Sequence, residues 1–247
     1  MSNASDLKVK LFADGADLAG IAEMAKRPMI KGFTTNPTLM RKAQVKDYRA
    51  FALEAVKIVD DRPISFEVFS DDFAEMEWQA RTIASWGSNV YVKIPVTNTR
   101  GEFAGPLIRK LVATRVQVNV TALMTLEQVS NVVDCLAADV PSYVSVFAGR
   151  IADTGCDPLP LMRQAVEILE RKPAAELIWA SPRELLNVFH ADSVDCHIIT
   201  ATNDILNKLA LVGKDLAGYS LETVKMFYND ASAAGFAIEA PSRRAAA

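Results

Sequence analysis

Histidine and cysteine are scarce in this chain. Only His190 and His197 occur in 247 residues, so a multi-histidine metal site or a Ser-His-Asp triad is hard to assemble. The three cysteines, Cys135, Cys156 and Cys196, are odd in number and form no Cys-x-x-Cys pair. That argues against a disulfide framework and against a zinc knuckle. Basic excess is missing too: the formal net charge is -3, which gives no footprint for nucleic acid or an anionic membrane. No apolar run approaches the ~18 residues of a membrane span. The N-terminal MSNASDLKVK has no apolar stretch of the signal-peptide kind, and a cytoplasmic location is expected. Neither a metal nor a cofactor is expected, which leaves carboxylates, lysine and arginine to carry the chemistry.

What is present is a regular alternation. Short β-branched runs at 8–14, 31–35, 63–69, 89–95, 115–122, 143–149, 176–181 and 196–201 alternate with amphipathic stretches. Helical patterns cover 47–59, 72–86, 125–138 (with Thr125 as its cap), 158–171, 183–190 and 203–211. Eight β-then-α units predict a single-domain α/β fold, a (β/α)8 TIM barrel over residues 8–236. Residues 1–7 and 237–247 read as flexible tails. The runner-up is an open doubly wound sheet, weakened because no Gly-x-Gly-x-x-Gly follows a strand. An extra amphipathic C-terminal helix is predicted over 219–236, with Val224, Met226, Phe227 and Tyr228 apolar.

The strands also carry a parity. Ile64, Phe66 and Val68 alternate with Ser65, Glu67 and Phe69; Val90, Val92 and Ile94 alternate with Asn89, Tyr91 and Lys93. The pattern repeats with Gln117, Asn119 and Thr121, and with Tyr143, Ser145 and Phe147. Alternate side chains point to opposite faces of a sheet, so the aliphatic set faces the helices and the polar set the barrel interior. Asp14, Asn36, Glu67, Lys93, Asn119, Thr121 and Ser145 all sit late in their strands. In a barrel they converge at the C-terminal mouth, where active sites form.

The motifs FADG at 12–15, TTNPT at 34–38, FEV at 66–68, YVKIPVT at 91–97, NVT at 119–121, SVFAGR at 145–150 and ASPR at 180–183 resemble the transaldolase family, in the same order. The related fructose-6-phosphate aldolases share much of the pattern. The resemblance covers about residues 8–215 and implies a metal-free class I aldol mechanism on sugar-phosphate substrates. Lys93 matches the Schiff-base lysine, Asp14 the acid/base aspartate, and Glu67 with Thr121 the pair that positions a catalytic water. Asn36 and Asn119 match substrate-hydroxyl ligands, and Ser145 and Phe147 the wall around the dihydroxyacetone end. Arg150, Ser181 and Arg183 match the phosphate site. Glu67 and Phe147 look like transaldolase, because the aldolases typically carry glutamine and tyrosine there. The loop IADTGCDPLP after Arg150 is unlike that of the long transaldolases and more like the compact members.

The resemblance further implies a homo-oligomer, transfer of a dihydroxyacetone unit from sedoheptulose 7-phosphate or fructose 6-phosphate, and a place in the pentose phosphate pathway. The alternatives are an aldolase that releases free dihydroxyacetone and a catalytically idle sugar-phosphate binder. Taken one at a time the residues have plainer readings. Asp14 or Ser181 would serve as a helix cap, Glu67 as an ion-pair partner of Lys93, and Arg150 or Arg183 as a surface ion-pair residue.

Overall fold

The computed structural model describes residues 6–238. The tails expected at 1–7 and 237–247 lie outside the described residues, apart from Asp6, Leu7, Ala237 and Ile238. Eight parallel strands close into a barrel in sequence order: β1 Lys10–Asp14, β2 Ile30–Thr34, β3 Ile64–Glu67, β4 Val90–Pro95, β5 Val118–Leu123, β6 Ser142–Val146, β7 Ala175–Trp179 and β8 Ile198–Thr202. The fold is therefore a (β/α)8 barrel. Among the described residues no helix is long and apolar enough to cross a membrane.

Helices α1 Leu18–Ala25, α2 Pro37–Lys42, α3 Tyr48–Val59, α4 Phe73–Ala84, α5 Gly105–Ala113, α6 Leu126–Val133, α7 Ala148–Asp153, α8 Leu159–Leu169, α9 Leu186–Ser193 and α10 Asn203–Asn207 follow the strands. Thr125 caps α6 as expected: its hydroxyl accepts from the Gln128 amide, and the Gln128 side chain accepts from the Thr125 amide in return. Asp17, not Asp14, caps α1 by accepting from the Gly20 amide at 2.7 Å, which leaves Asp14 free for other work. The chain separates into two compact units at about residue 210. The second contains α11 Leu216–Ala233, capped by Asp215, and this is the expected C-terminal helix, displaced by three residues.

The parity holds within the strands. Ile64, Phe66, Val92, Ile94, Val118, Val120, Val144 and Val146 are fully buried on the helix-facing side. Phe66, for example, meets the rings of Phe51 and Tyr48 on α3 edge-on. It fails where strands are shorter than expected. β3 stops at Glu67, so Phe69 is not interior but 67% exposed, in edge contact with Tyr48. Asn89 and Gln117 precede their strands, and their amides bind loop carbonyls of Asp60, Arg62 and Ser88 instead.

The interior is layered. A lower plug contains Phe12, Tyr91, Tyr143, Ile178 and Ile198. Tyr91 and Tyr143 stack at 4.0 Å, and Phe12 meets Tyr143 edge-on at 5.8 Å. Phe12 fits because β2 carries glycine opposite it: a Cβ on Gly32 would lie 2.4 Å from the ring. Above the plug the interior turns polar, and there the site lies. Gly32→Ala is expected to destabilise the barrel by about 1–3 kcal/mol through overpacking. Urea denaturation checks this, and Phe12→Leu in the same chain should restore part of the loss.

Candidate active site

Lys93 projects from the middle of β4 into the polar layer. It is 6% exposed. Its ammonium donates to the Thr35 carbonyl at 2.9 Å and lies 3.4 Å from Glu67 Oε2. The strand register places Glu67 and Asn119 directly beside Lys93 on the two neighbouring strands. A buried amine with one carboxylate and one carbonyl is a paired charge, held where a ligand in the mouth can reach it.

Asp14 ends β1. One carboxylate oxygen accepts from the Thr34 hydroxyl at 2.7 Å and the other from the Asn36 amide at 3.2 Å. Thr34 is also hydrogen-bonded to Thr200 across the barrel seam at 2.5 Å. Burial pushes the Asp14 carboxyl above the ordinary carboxylate range, while Lys93, Thr34 and Asn36 pull the other way. A raised carboxyl pKa suits a group that both takes and returns a proton. Asn36 serves twice, because its carbonyl oxygen caps α2 by accepting from the Leu39 amide at 2.9 Å. Asn36 thus joins the start of α2 to Asp14.

Thr121 lies at a bulge. Between Val120 and Leu123 the register of β5 against β6 slips by one residue, and Ala122 takes a left-handed φ of 67°. The Thr121 hydroxyl is buried with no hydrogen-bond partner among the described residues, which leaves it for a ligand. Asn119 sits deeper. It is fully buried, donates to the Ser65 hydroxyl at 3.0 Å and accepts from the Ser145 hydroxyl at 2.7 Å. Its direct effect in this structure is to fix Ser145.

Across the mouth, Arg150 on α7 rests over the Phe147 ring, 5.7 Å from its centroid. Arg183 donates to the Ser181 hydroxyl at 2.9 Å and forms a two-pronged pair with Asp153, with one bond of 2.8 Å from Nε and a second from the terminal nitrogen. Arg183 is thus an ion-pair residue that also lines the mouth. Ser181 adopts a left-handed φ of 62°. Its carbonyl oxygen lies where a Cβ on Gly149 would be, at 1.6 Å, so the glycine of SVFAGR lets the loops after β6 and β7 meet.

Ten of the eleven expected residues line one cavity of about 600 Å3: Asp14, Asn36, Glu67, Lys93, Thr121, Ser145, Phe147, Arg150, Ser181 and Arg183. Only Asn119 lies beneath it. The cavity is also bordered by Thr34, Leu39, Lys42 and Thr200, which the sequence reading did not single out. Interior parity on β2 and β8 would have flagged the two threonines. Among the described residues no cluster of three or more histidine, cysteine or acidic side chains could hold a metal ion.

The fold and cavity define a (β/α)8 protein with a buried lysine flanked by acids, opposite a pair of arginines. Residues 11–241 match the family Transaldolase/Fructose-6-phosphate aldolase, and the chain belongs to that family. A probable transaldolase of Dehalococcoides mccartyi is 32% identical over 202 residues, covering 81% of this chain and 90% of the relative. Probable transaldolase 2 of Listeria monocytogenes is 31% identical over 216 residues, covering 85% and 94%. Among solved structures, a KGPDC from Streptococcus mutans is similar with a TM-score of 0.56 at 12% identity, covering 80% of this chain and 89% of that one. A putative phosphonomutase from Burkholderia cenocepacia reaches 0.53 at 13%, covering 92% and 96%. These two likenesses concern the fold alone.

Two outcomes follow from this geometry. Gly149→Ala should destabilise the chain by more than about 3 kcal/mol, because backbone rather than a rotatable side chain opposes the new methyl. Thermal unfolding measures it. The second concerns Asp14. Below the ordinary carboxylate range both folded and unfolded chains hold its proton. As pH rises towards the raised folded value the unfolded chain releases it first, so stability is lost across that window. Asp14→Asn escapes this loss. Its stability relative to the parent should rise with pH through the window, by about 1.4 kcal/mol for each tenfold change in proton affinity. Urea titrations at pH 4 and pH 7 check it, and a difference independent of pH would contradict it.

Proposed function

We propose that the protein is a transaldolase that moves a dihydroxyacetone unit between sugar phosphates through a Schiff base on Lys93. The observation that carries the reading is the placement of Lys93 between Glu67 and the Thr35 carbonyl, in the cavity that Asp14 also lines. To attack, the lysine must be neutral. Glu67 is near enough to take its proton, directly or through a water bound by the Thr121 hydroxyl. Attack on the C2 ketone of the donor gives a carbinolamine, and the same carboxyl returns a proton to the departing hydroxyl. The resulting iminium draws electrons from the C3–C4 bond. Asp14 removes the proton of the C4 hydroxyl, the bond breaks, and an aldose phosphate leaves while a three-carbon enamine stays on Lys93.

The acceptor aldehyde then takes the place of the product, and the steps reverse. Ser145, held by Asn119, binds the dihydroxyacetone end, and Asn36 binds a substrate hydroxyl. Arg150, Ser181 and Arg183 hold the phosphate, which fixes the aldehyde for attack. Sedoheptulose 7-phosphate and fructose 6-phosphate are the donors proposed, in the cytoplasm and in the pentose phosphate pathway. We also propose a homo-oligomer. Supporting it, α11 exposes the large apolar side chains Leu216, Leu221, Val224, Met226, Phe227 and Tyr228, and a concentration of this kind marks an interaction site.

Fructose 6-phosphate alone should release about one equivalent of glyceraldehyde 3-phosphate per site, and adding erythrose 4-phosphate should make release continuous. Lys93→Met should release none. Continuous release without an acceptor would favour the lyase alternative, in which the enamine is protonated and hydrolysed to free dihydroxyacetone.

A further inference from the structure

Four cationic side chains border the main cavity: Lys42, Lys93, Arg150 and Arg183. Their charges are not equally available. Lys93 is paired with Glu67. Arg183 is held by both oxygens of Asp153, and that pairing keeps the Asp153 carboxyl below its ordinary range and therefore ionised. Neither Arg150 nor Lys42 has a carboxylate within ion-pair distance among the described residues, although Arg150 is near enough to Asp153 to help hold its carboxyl low. A sugar phosphate carries close to two negative charges at neutral pH, and the cavity already holds the acids Asp14 and Glu67. Arg150, with Arg183 already paired to Asp153, leaves such an anion undercompensated.

Among the described residues, Lys42 is the other cavity-lining cation without an ion-pair partner. It ends α2, the helix whose first residues are fixed to the site by Asn36, and its side chain is exposed. It also borders an adjoining cavity of about 490 Å3, which shares Asp14 and Leu39 with the main one. That second space is lined by Asp17 and Asp204, so it repels an anion. The main cavity, by contrast, is bordered by Arg150 and Arg183 as well as by Lys42, so an anion is better accommodated there.

We propose that Lys42 is a substrate-binding residue for the anionic sugar phosphate, setting the preference for phosphorylated over unphosphorylated substrates. This deepens the transaldolase reading and rests on it. A lysine that only complements the C-terminal end of α2 would contribute to stability without discriminating between substrates.

The test compares the parent chain, Lys42→Gln and Lys42→Arg. For Lys42→Gln the ratio of kcat/KM for fructose 6-phosphate to kcat/KM for fructose should fall about ten-fold or more, the loss of one charge-assisted contact, and mainly through KM. Lys42→Arg should recover most of the ratio. In parallel, binding of inorganic phosphate followed by 31P NMR should weaken in Lys42→Gln and survive in Lys42→Arg. An unchanged ratio, or an equal loss for both sugars, overturns the proposal. Should the parent chain form no adduct and cleave neither sugar, the transaldolase reading fails. Phosphate binding still decides Lys42 in that case, because affinity equal in parent and Lys42→Gln overturns it.

Discussion

The structure depends on keeping charged groups inside a barrel that is otherwise filled with hydrocarbon. Burying an ammonium costs several kcal/mol unless it is paired and hydrogen-bonded. Lys93 meets that condition with two partners from two other loops and strands, Glu67 on β3 and the carbonyl of Thr35 after β2. The polar layer is then constrained around it. Asp14 is satisfied by Thr34 and Asn36, Ser145 by Asn119, and Asn119 by Ser65. Below this layer the stacked Tyr91 and Tyr143 and the Phe12 ring fill the barrel interior. Gly32 is part of the same solution, since only a residue without a side chain leaves Phe12 its place.

The opposite side of the mouth is organised by backbone rather than by charge burial. Ser181 is left-handed, and Gly149 allows its carbonyl to approach, so two loops behave as one wall. Asp153 then orients Arg183 against Ser181. The cost is that Arg183 arrives with a counterion, which places more of the burden of binding an anion on the cations without one.

Much of this was legible in the sequence because a strand exposes its two faces alternately. The alternation in VYVKIP and VNVTAL places Lys93, Asn119 and Thr121 inside, and the order of motifs implies their roles by resemblance. What escaped has physical reasons too. The helical patterns of the sequence do not include α1, α2, α5 and α7; α2 and α7 span only six residues each, too short for a period of 3.6 to show. The bulge at Ala122 changes register without a glycine to mark it. Asn119 shares the parity of Lys93 but lies one level deeper, and parity carries no depth. Asp153 and Lys42 lie on helix ends facing the mouth, where neither strand alternation nor a helical stripe points to a site.

The central claim is that Lys93 becomes covalently attached to substrate. Incubation with fructose 6-phosphate, reduction with borohydride and peptide mapping by mass spectrometry test it most directly. The account predicts a reduced three- or six-carbon adduct on Lys93 and on no other lysine. An unmodified Lys93, under conditions that label a known transaldolase and with dihydroxyacetone also failing to label it, would contradict the account and leave a sugar-phosphate binder in its place.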